Sequence, residues 1–320
     1  MTDAVLVTGG FGYIGGRVAQ QLAHDAGFAV RLTTRRSGAT SPQWLPQAQV
    51  AVAALDDDAA LDAACRGVSS IVHLAALNEH DCAADPQRAL QINGLGTLKL
   101  LQAAQRAGVR RFVYFSTAHV YGAPLTGTIT ESALPRPGHP YAITHHVAED
   151  FVLAARDRGA LEGIVVRMSN GFGAPAHANI NRWTLIVNDL CRQAVIDREL
   201  VLQTSGMQLR DFITLGDAAR AVEHLLRLPA QDCADGLFNL GGENVHSMAA
   251  LAERIVARCE QVLGFRPALR RPPPQAGEHA LPLDYRIDKL KRTGFALRGN
   301  MDGEIDATLR LCRSAFGASR

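Results

Sequence analysis

The sequence predicts an α/β protein: a doubly wound parallel sheet followed by a smaller, mixed α/β portion. Three observations carry this. Ala4-Val5-Leu6-Val7 is a short continuous apolar run, the pattern of a strand buried on both faces. Runs of that kind then alternate with helix-period segments over about 170 residues. After Ser169 the alternation stops, and loops, short strands and separate helices follow.

The first strand runs into Thr8-Gly9-Gly10-Phe11-Gly12-Tyr13-Ile14-Gly15 and then into a helix pattern of Val18, Ala19, Leu22 and Ala23. The glycine spacing is GxxGxxG (Gly9, Gly12, Gly15). Glycines between a buried strand and a helix permit a tight turn. They also let backbone N–H groups and the helix N-terminus approach a pyrophosphate, so this unit implies dinucleotide binding. The second strand, Ala29 to Thr33, ends in Thr34-Arg35-Arg36. A carboxylate there would bind the hydroxyls of an adenosine ribose. Two guanidinium groups suit a 2′-phosphate instead and favour NADP slightly over NAD.

A third strand is expected over Gln49–Ala54, a helix over Asp58–Cys65 and a strand over Ser70–Ala76, whose small last residues let a cofactor lie close. Asn78-Glu79-His80 are expected in a loop at that strand's carboxyl end, within reach of substrate. A long helix from Pro86 to Ala107 contains Asn93, a poor interior helix residue, which predicts a specific hydrogen-bonding role. The strand Arg111–Phe115 opens into Ser116-Thr117-Ala118-His119-Val120-Tyr121-Gly122, with hydroxyls and a histidine again at a strand's end. After a Pro- and Gly-rich loop, Pro140 starts a helix whose Tyr141 and His145, four residues apart, share one face. The strand Gly163–Arg167 closes the alternation.

Beyond it lie a loop at 169–175, a helix over Trp183–Val195, a strand at Leu200–Leu202, and Arg210–Ile213 leading into a helix from Asp217. A strand and turn at Phe238–Gly242 and helices over Met248–Cys259 and Gly303–Phe316 complete the chain. Residues 1–168 are expected to bind the dinucleotide, with 210–245 returning to that portion; 169–320 are expected mainly to bind substrate.

The bulk composition excludes several classes. Of 320 residues, 47% are hydrophobic and 20% charged, as in a globular protein. The net charge of +2, with basic residues spread along the chain, gives no reason to expect nucleic acid. Six scattered cysteines without a CxxC pair argue against a zinc site or a disulfide framework and fit a reducing compartment. No apolar run is long enough for a membrane span, and the first residues enter a strand directly instead of forming a leader. The expectation is a cytoplasmic protein with no membrane and no metal.

Five stretches together resemble the extended short-chain dehydrogenase/reductases, in particular the NAD-dependent epimerase/dehydratase group, whose members mostly act on nucleotide sugars. They are Thr8–Gly15, Val72-His73-Leu74-Ala75-Ala76, Phe115–Gly122, Pro140-Tyr141-Ala142-Ile143-Thr144 and Arg210-Asp211-Phe212-Ile213. The resemblance runs from Val5 to about Phe295. It implies a Rossmann-type fold, an NAD or NADP cofactor, a nucleotide-linked sugar as substrate, and an epimerase or ketoreductase activity. By the same resemblance, Thr117 binds the reacting sugar oxygen and Tyr141 takes the hydroxyl proton while hydride leaves the same carbon. Tyr13 and Ile14 match the backbone that meets the pyrophosphate. Leu55, Leu74, Ala75, Ala76, Asn93 and Ser169 match further cofactor-side positions; Asn170 matches the residue that holds the substrate diphosphate, and Arg210 the one that grips the nucleotide. A homodimer is implied, in which the Tyr141 helix and the Pro86–Ala107 helix pack against their symmetry mates. Ala103, Ala104, Ala107, Ala148, Ala154 and Ala155 are small enough for that packing.

The sequence departs from the family pattern in three places. His145 stands where the family has a lysine that lowers the tyrosine pKa and binds the nicotinamide ribose. Ala118-His119 stands where the dehydratases have Asp-Glu, so elimination of water is not expected. His119 is left as an acid/base of its own or as a space-filling polar residue. Ala54 replaces an aspartate that contacts adenine. The alternative to a working enzyme is a cofactor-binding family member with weak or no catalysis, acting as a redox sensor or partner subunit.

Overall fold

The computed structural model describes residues 3–317. The chain begins with β1 (Ala4–Thr8), α1 (Tyr13–Gln20), β2 (Ala29–Thr34), β3 (Gln49–Val52), α2 (Asp58–Cys65) and β4 (Ser70–His73). It continues through α3 (Glu79–Ala84), α4 (Pro86–Ala89), α5 (Gly96–Arg106), β5 (Arg111–Thr117), β6 (Gly127–Ile129), α6 (Pro140–Asp157) and β7 (Glu162–Met168). Then come β8 (Asn170–Phe172), α7 (Ile186–Ile196), β9 (Glu199–Val201), β10 (Leu209–Thr214), α8 (Leu215–Arg227), β11 (Leu237–Leu240) and β12 (Val245–Ser247). The last elements are α9 (Met248–Leu263), β13 (Ala268–Arg270), β14 (Leu283–Tyr285), α10 (Asp288–Arg292) and α11 (Met301–Phe316).

Seven strands form one parallel sheet in the order β11-β7-β5-β4-β1-β2-β3. Successive residues of a strand point to opposite faces, and the two cores divide accordingly. Val5, Val7 and Val113 pack with Val18, Leu22, Val222 and Leu225 of α1, its continuation and α8. Leu6, Phe112 and Tyr114 pack on the other face with Leu61, Leu100, Ala148 and Val152 of α2, α5 and α6. Both faces are covered, which is why these strands read as unbroken apolar runs. The chain winds outward from β1 to β3 and then crosses back to β4, so the carboxyl ends of β1 and β4 diverge at a topological switch point, where open α/β sheets bind ligands.

The segment 215–240 returns to this sheet: α8 covers one face and β11 forms an edge beside β7. β10 does not join it. It pairs with β8 and β12 in a separate three-stranded sheet. A third core, with Leu190, Cys191, Leu251, Ile255, Ile305 and Leu309 from α7, α9 and α11, holds the smaller portion together.

Three expectations are corrected here. Glu79 and His80 lie in α3, not in a loop, because the Asn78 side chain caps that helix by accepting the Asp81 N–H at 3.0 Å. The long helix of 86–107 is interrupted: Leu90–Leu95 form a π turn around Asn93, whose side chain is buried in contacts with other elements instead of facing solvent. Of the six alanines offered for a dimer contact, Ala103, Ala104, Ala148 and Ala155 are fully buried within this chain against the sheet. A small side chain on a helix that lies close to a sheet serves that packing first. No described helix is long and apolar enough to cross a membrane.

Candidate functional site

A cavity of about 750 Å³ opens at the carboxyl ends of β1, β4 and β5. The β1–α1 turn forms one end. Gly9 has φ +68°, which favours glycine, and a Cβ on Gly15 would collide with the Gly9 carbonyl oxygen. Gly9, Gly12, Ile14 and Gly15 line the cavity, as do Thr34, Arg35, Arg36, Leu55, Leu74, Ala75 and Ala76. Tyr13 lines it too, but its side chain is an anchor: the buried hydroxyl lies 3.0 Å from the Gly173 carbonyl and 3.1 Å from Asn188 Oδ1, tying α1 to α7.

The other end is built by β5 and α6. Thr117, His119, Tyr141 and His145 line it together with Ser116, Ser169, Asn170 and Arg210. The helix α6 starts at Pro140 with the His139 side chain accepting the Tyr141 N–H, and Glu149 anchors it to β7 through Arg167 at 2.6 Å, a buried ion pair. That anchor holds the Tyr141–His145 face against the cavity. Burial pushes the Tyr141 phenol well above the ordinary tyrosine range; Glu79 adds to this, while Arg182 and the Thr117 hydroxyl beside it pull back only in part.

His145 is 3% exposed, and burial lowers its pKa to about 4, with Glu79 opposing. It is neutral near pH 7 and supplies no cation to Tyr141, although their ring centroids are 4.4 Å apart. Its Nδ1 lies 2.6 Å from the Tyr114 hydroxyl, and its Nε2 has no partner among the described residues. Ser116 Oγ is likewise buried without a partner. Two unpartnered buried polar atoms on one cavity wall leave hydrogen-bonding capacity open to a ligand or a water. With the glycine cradle, they fit a dinucleotide.

Several residues differ from their expected place. Asn93 does not line the cavity. It stands behind the wall, accepting the Leu77 N–H at 2.8 Å and donating to Thr144 Oγ1 at 3.1 Å, and so pins the Leu74–Leu77 segment to α6. The Asn78 side chain lines the cavity while its polar atoms serve the α3 cap. Ser169 donates to Asp211 Oδ2 at 2.6 Å, and Asn170 donates to the Asp211 carbonyl at 2.9 Å. The expected motif contained Asp211 but gave it no role; it is buried and also accepts the Gly242 and Asn244 N–H groups. Glu79 and Arg182, 3.0 Å apart, face the same cavity. Burial lowers the His119 pKa, with Glu79 pulling it back up. Glu79 belongs to the segment expected within reach of substrate, whereas Tyr114 and Arg182 carried no motif, and only the fold brings those two to the site.

The comparisons with known proteins agree with this geometry. The model of the NAD dependent epimerase/dehydratase family matches residues 5–241. A UDP-glucose 4-epimerase of Rhizobium leguminosarum bv. trifolii is 31% identical over 244 residues, covering 70% of this chain and 74% of the relative. One of Azospirillum brasilense is 31% identical, covering 94% and 93%. The solved structure of MoeE5 in complex with UDP-glucose and NAD is 26% identical with a TM-score of 0.77, covering 97% of this chain and 99% of that one. The chain therefore belongs to the NAD-dependent epimerase/dehydratase family.

Proposed function

We propose that the chain is an NAD(P)-dependent nucleotide-sugar epimerase or ketoreductase, with Tyr141 as the acid/base and Thr117 binding the reacting oxygen. The observation that carries this is the placement of the half-buried Tyr141 phenol beside Thr117, at one end of a cavity whose other end is the glycine turn. When bound, a nicotinamide supplies the hydride acceptor or donor. The chain's own residues do the rest. Thr117 fixes the sugar oxygen, and Tyr141 exchanges its proton with that oxygen. Asn170 and Arg210 are at the substrate end, suited to the diphosphate and the nucleotide. Ala118-His119 in place of Asp-Glu argues against elimination of water. Arg35 and Arg36, exposed on the cavity rim, favour NADP over NAD.

Tyr141→Phe removes the exchangeable proton and keeps the ring. Turnover of UDP-glucose, or of the nucleotide sugar that co-purifies by mass spectrometry, should fall about 10²–10⁴-fold with the melting temperature retained. Full turnover would defeat the mechanism. A homodimer is supported by the exposed apolar Leu90 and Leu95, between α4 and α5, and Ile143 and Phe151 of α6, which are open to such a contact where the buried alanines are not. Sedimentation at micromolar concentration should show the dimer, and a monomer would refute it. A second reading, a cofactor-binding protein with weak catalysis, is favoured by one observation, the neutral His145.

A further inference from the structure

We propose that Tyr114 is a positioning residue that fixes His145 in one neutral tautomer, with its Nε2–H left as a hydrogen-bond donor for a ligand in the cavity that His145 lines. This rests on the cofactor reading above and deepens it. Tyr114 sits on β5, 2% exposed, with its hydroxyl 2.6 Å from His145 Nδ1.

Two proton arrangements satisfy that contact. In one, Nδ1 carries the proton and the phenol oxygen accepts it. The phenol O–H then has no acceptor among the described residues, and Nε2 is a bare buried lone pair: two polar groups are left unpaired. In the other, the phenol donates to Nδ1 and only the Nε2–H is left over. Each unpaired buried polar group destabilises the fold, so the second arrangement wins. Burial holds the Tyr114 phenol well above its ordinary pKa, which keeps it a donor at every working pH.

Among the groups around the ring, only Glu79 favours the charged form, and burial outweighs it. Tyr141 faces it from its own helix, Tyr114 from β5, His73 from β4 and Glu79 from α3; Glu149, one turn further along α6, bears on Tyr114 and is held by Arg167. None of these supplies a cation to the ring. The Nε2–H therefore needs an acceptor, and the cavity that His145 lines offers that place to a ligand oxygen such as a ribose hydroxyl. Here Tyr114 and His145 together replace the hydrogen bond of the family's lysine without replacing its charge.

Long-range ¹H–¹⁵N correlation spectra of the ¹⁵N-labelled protein, with His145→Gln to assign the signal, read the tautomer directly. At pH 7 the expected result is Nε2 protonated and Nδ1 bare. An imidazolium, or the Nδ1-protonated tautomer, would overturn the proposal, and no variant of Tyr114 is needed to learn this. NAD or NADP should shift the Nε2 signal on binding; a saturated complex with Nε2 unmoved would overturn its role as a donor to the cofactor. Tyr114→Phe should give mixed tautomers and weaken nucleotide affinity about three- to tenfold. A folded Tyr114→Phe protein with the native tautomer and affinity would overturn the role of Tyr114. If neither nucleotide binds at all, the cofactor reading falls, while the tautomer of His145 in the free protein still decides for or against Tyr114.

Discussion

His73 and His145 are the two histidines buried in the described chain, one on β4 and one on α6, and their surroundings differ in a single respect. His73 Nδ1 lies 2.6 Å from Thr8 Oγ1 and its Nε2 lies 2.9 Å from Thr97 Oγ1. Thr97 donates its own proton to the Asn93 carbonyl at 2.6 Å, so it accepts from His73 Nε2–H, and Thr8 donates to Nδ1. Thr8 Oγ1 in turn accepts the Leu74 and Ala75 N–H groups at 3.2 Å each. Every polar atom of that cluster is paired. His145 has the same burial and the same neutrality but one partner where His73 has two. Burial and charge therefore do not separate a histidine that ties strands and helices together from one with a nitrogen left unpaired. The count of partners does.

What the two share gives the largest expected effect. Burial lowers His145 to about 4 and His73 to about 3. The unfolded chain takes up these protons near pH 6.5, whereas the folded protein resists them until pH 4 or below. Their contribution is thus complete above about pH 6.5 and is lost as the pH falls towards 4, at up to about 1.4 kcal/mol per pH unit for each. Urea denaturation at pH 7, 6, 5 and 4.5 should show this decline. A flat stability over that range would mean that neither ring is held neutral.

The difference between the two is tested next. His73→Ala removes two internal hydrogen bonds and opens a hole beneath the sheet, so it should destabilise by roughly 3 kcal/mol. His145→Ala removes one bond and an unpaired N–H, and should destabilise by roughly half as much while weakening NAD or NADP binding. Denaturant midpoints and nucleotide titration of both variants settle the matter. Equal stability losses with equal nucleotide affinity would erase the distinction.

Much of the frame was legible in the sequence because its causes are local. The apolar runs of β1, β4 and β5 are visible because both faces of the sheet are covered, and the glycine turn is visible because only glycine fits at Gly9 and Gly15. Pro140 announces α6 for the same reason. The Tyr114–His145 pair was not legible: the partners are 31 residues apart, and one residue on an apolar strand looks like any other core aromatic. Asn93 shows the limit of a half-correct inference. Its unusual place in a helix announced a hydrogen-bonding role, but the partners Leu77 and Thr144 come from other elements and turn it away from the cavity. The Asn78 cap hid in plain view, since a cap acts over three residues but the segment's polarity suggested a loop.

The smallest of these effects is the most diagnostic. His145→Lys restores the family's residue, and its outcome depends on whether charge or packing decides. The pocket is shaped for a flat ring, with the Tyr114 ring 5.8 Å away at 30° and the Tyr141 ring 4.4 Å away at 63°. A lysine ammonium there would be desolvated, and the carboxylates that could pair with it are already held, Glu79 by Arg182 and Glu149 by Arg167. Tyr114 would lose the Nδ1 acceptor its hydroxyl now has and would have to turn its oxygen towards the ammonium. We expect packing to win: turnover and nucleotide affinity should fall about tenfold, a cost of about 1.4 kcal/mol. Steady-state kinetics beside nucleotide titration measure both. A gain in turnover would show instead that the site lacks only a positive charge beside Tyr141, and it would move the weak-catalysis reading ahead of the working enzyme.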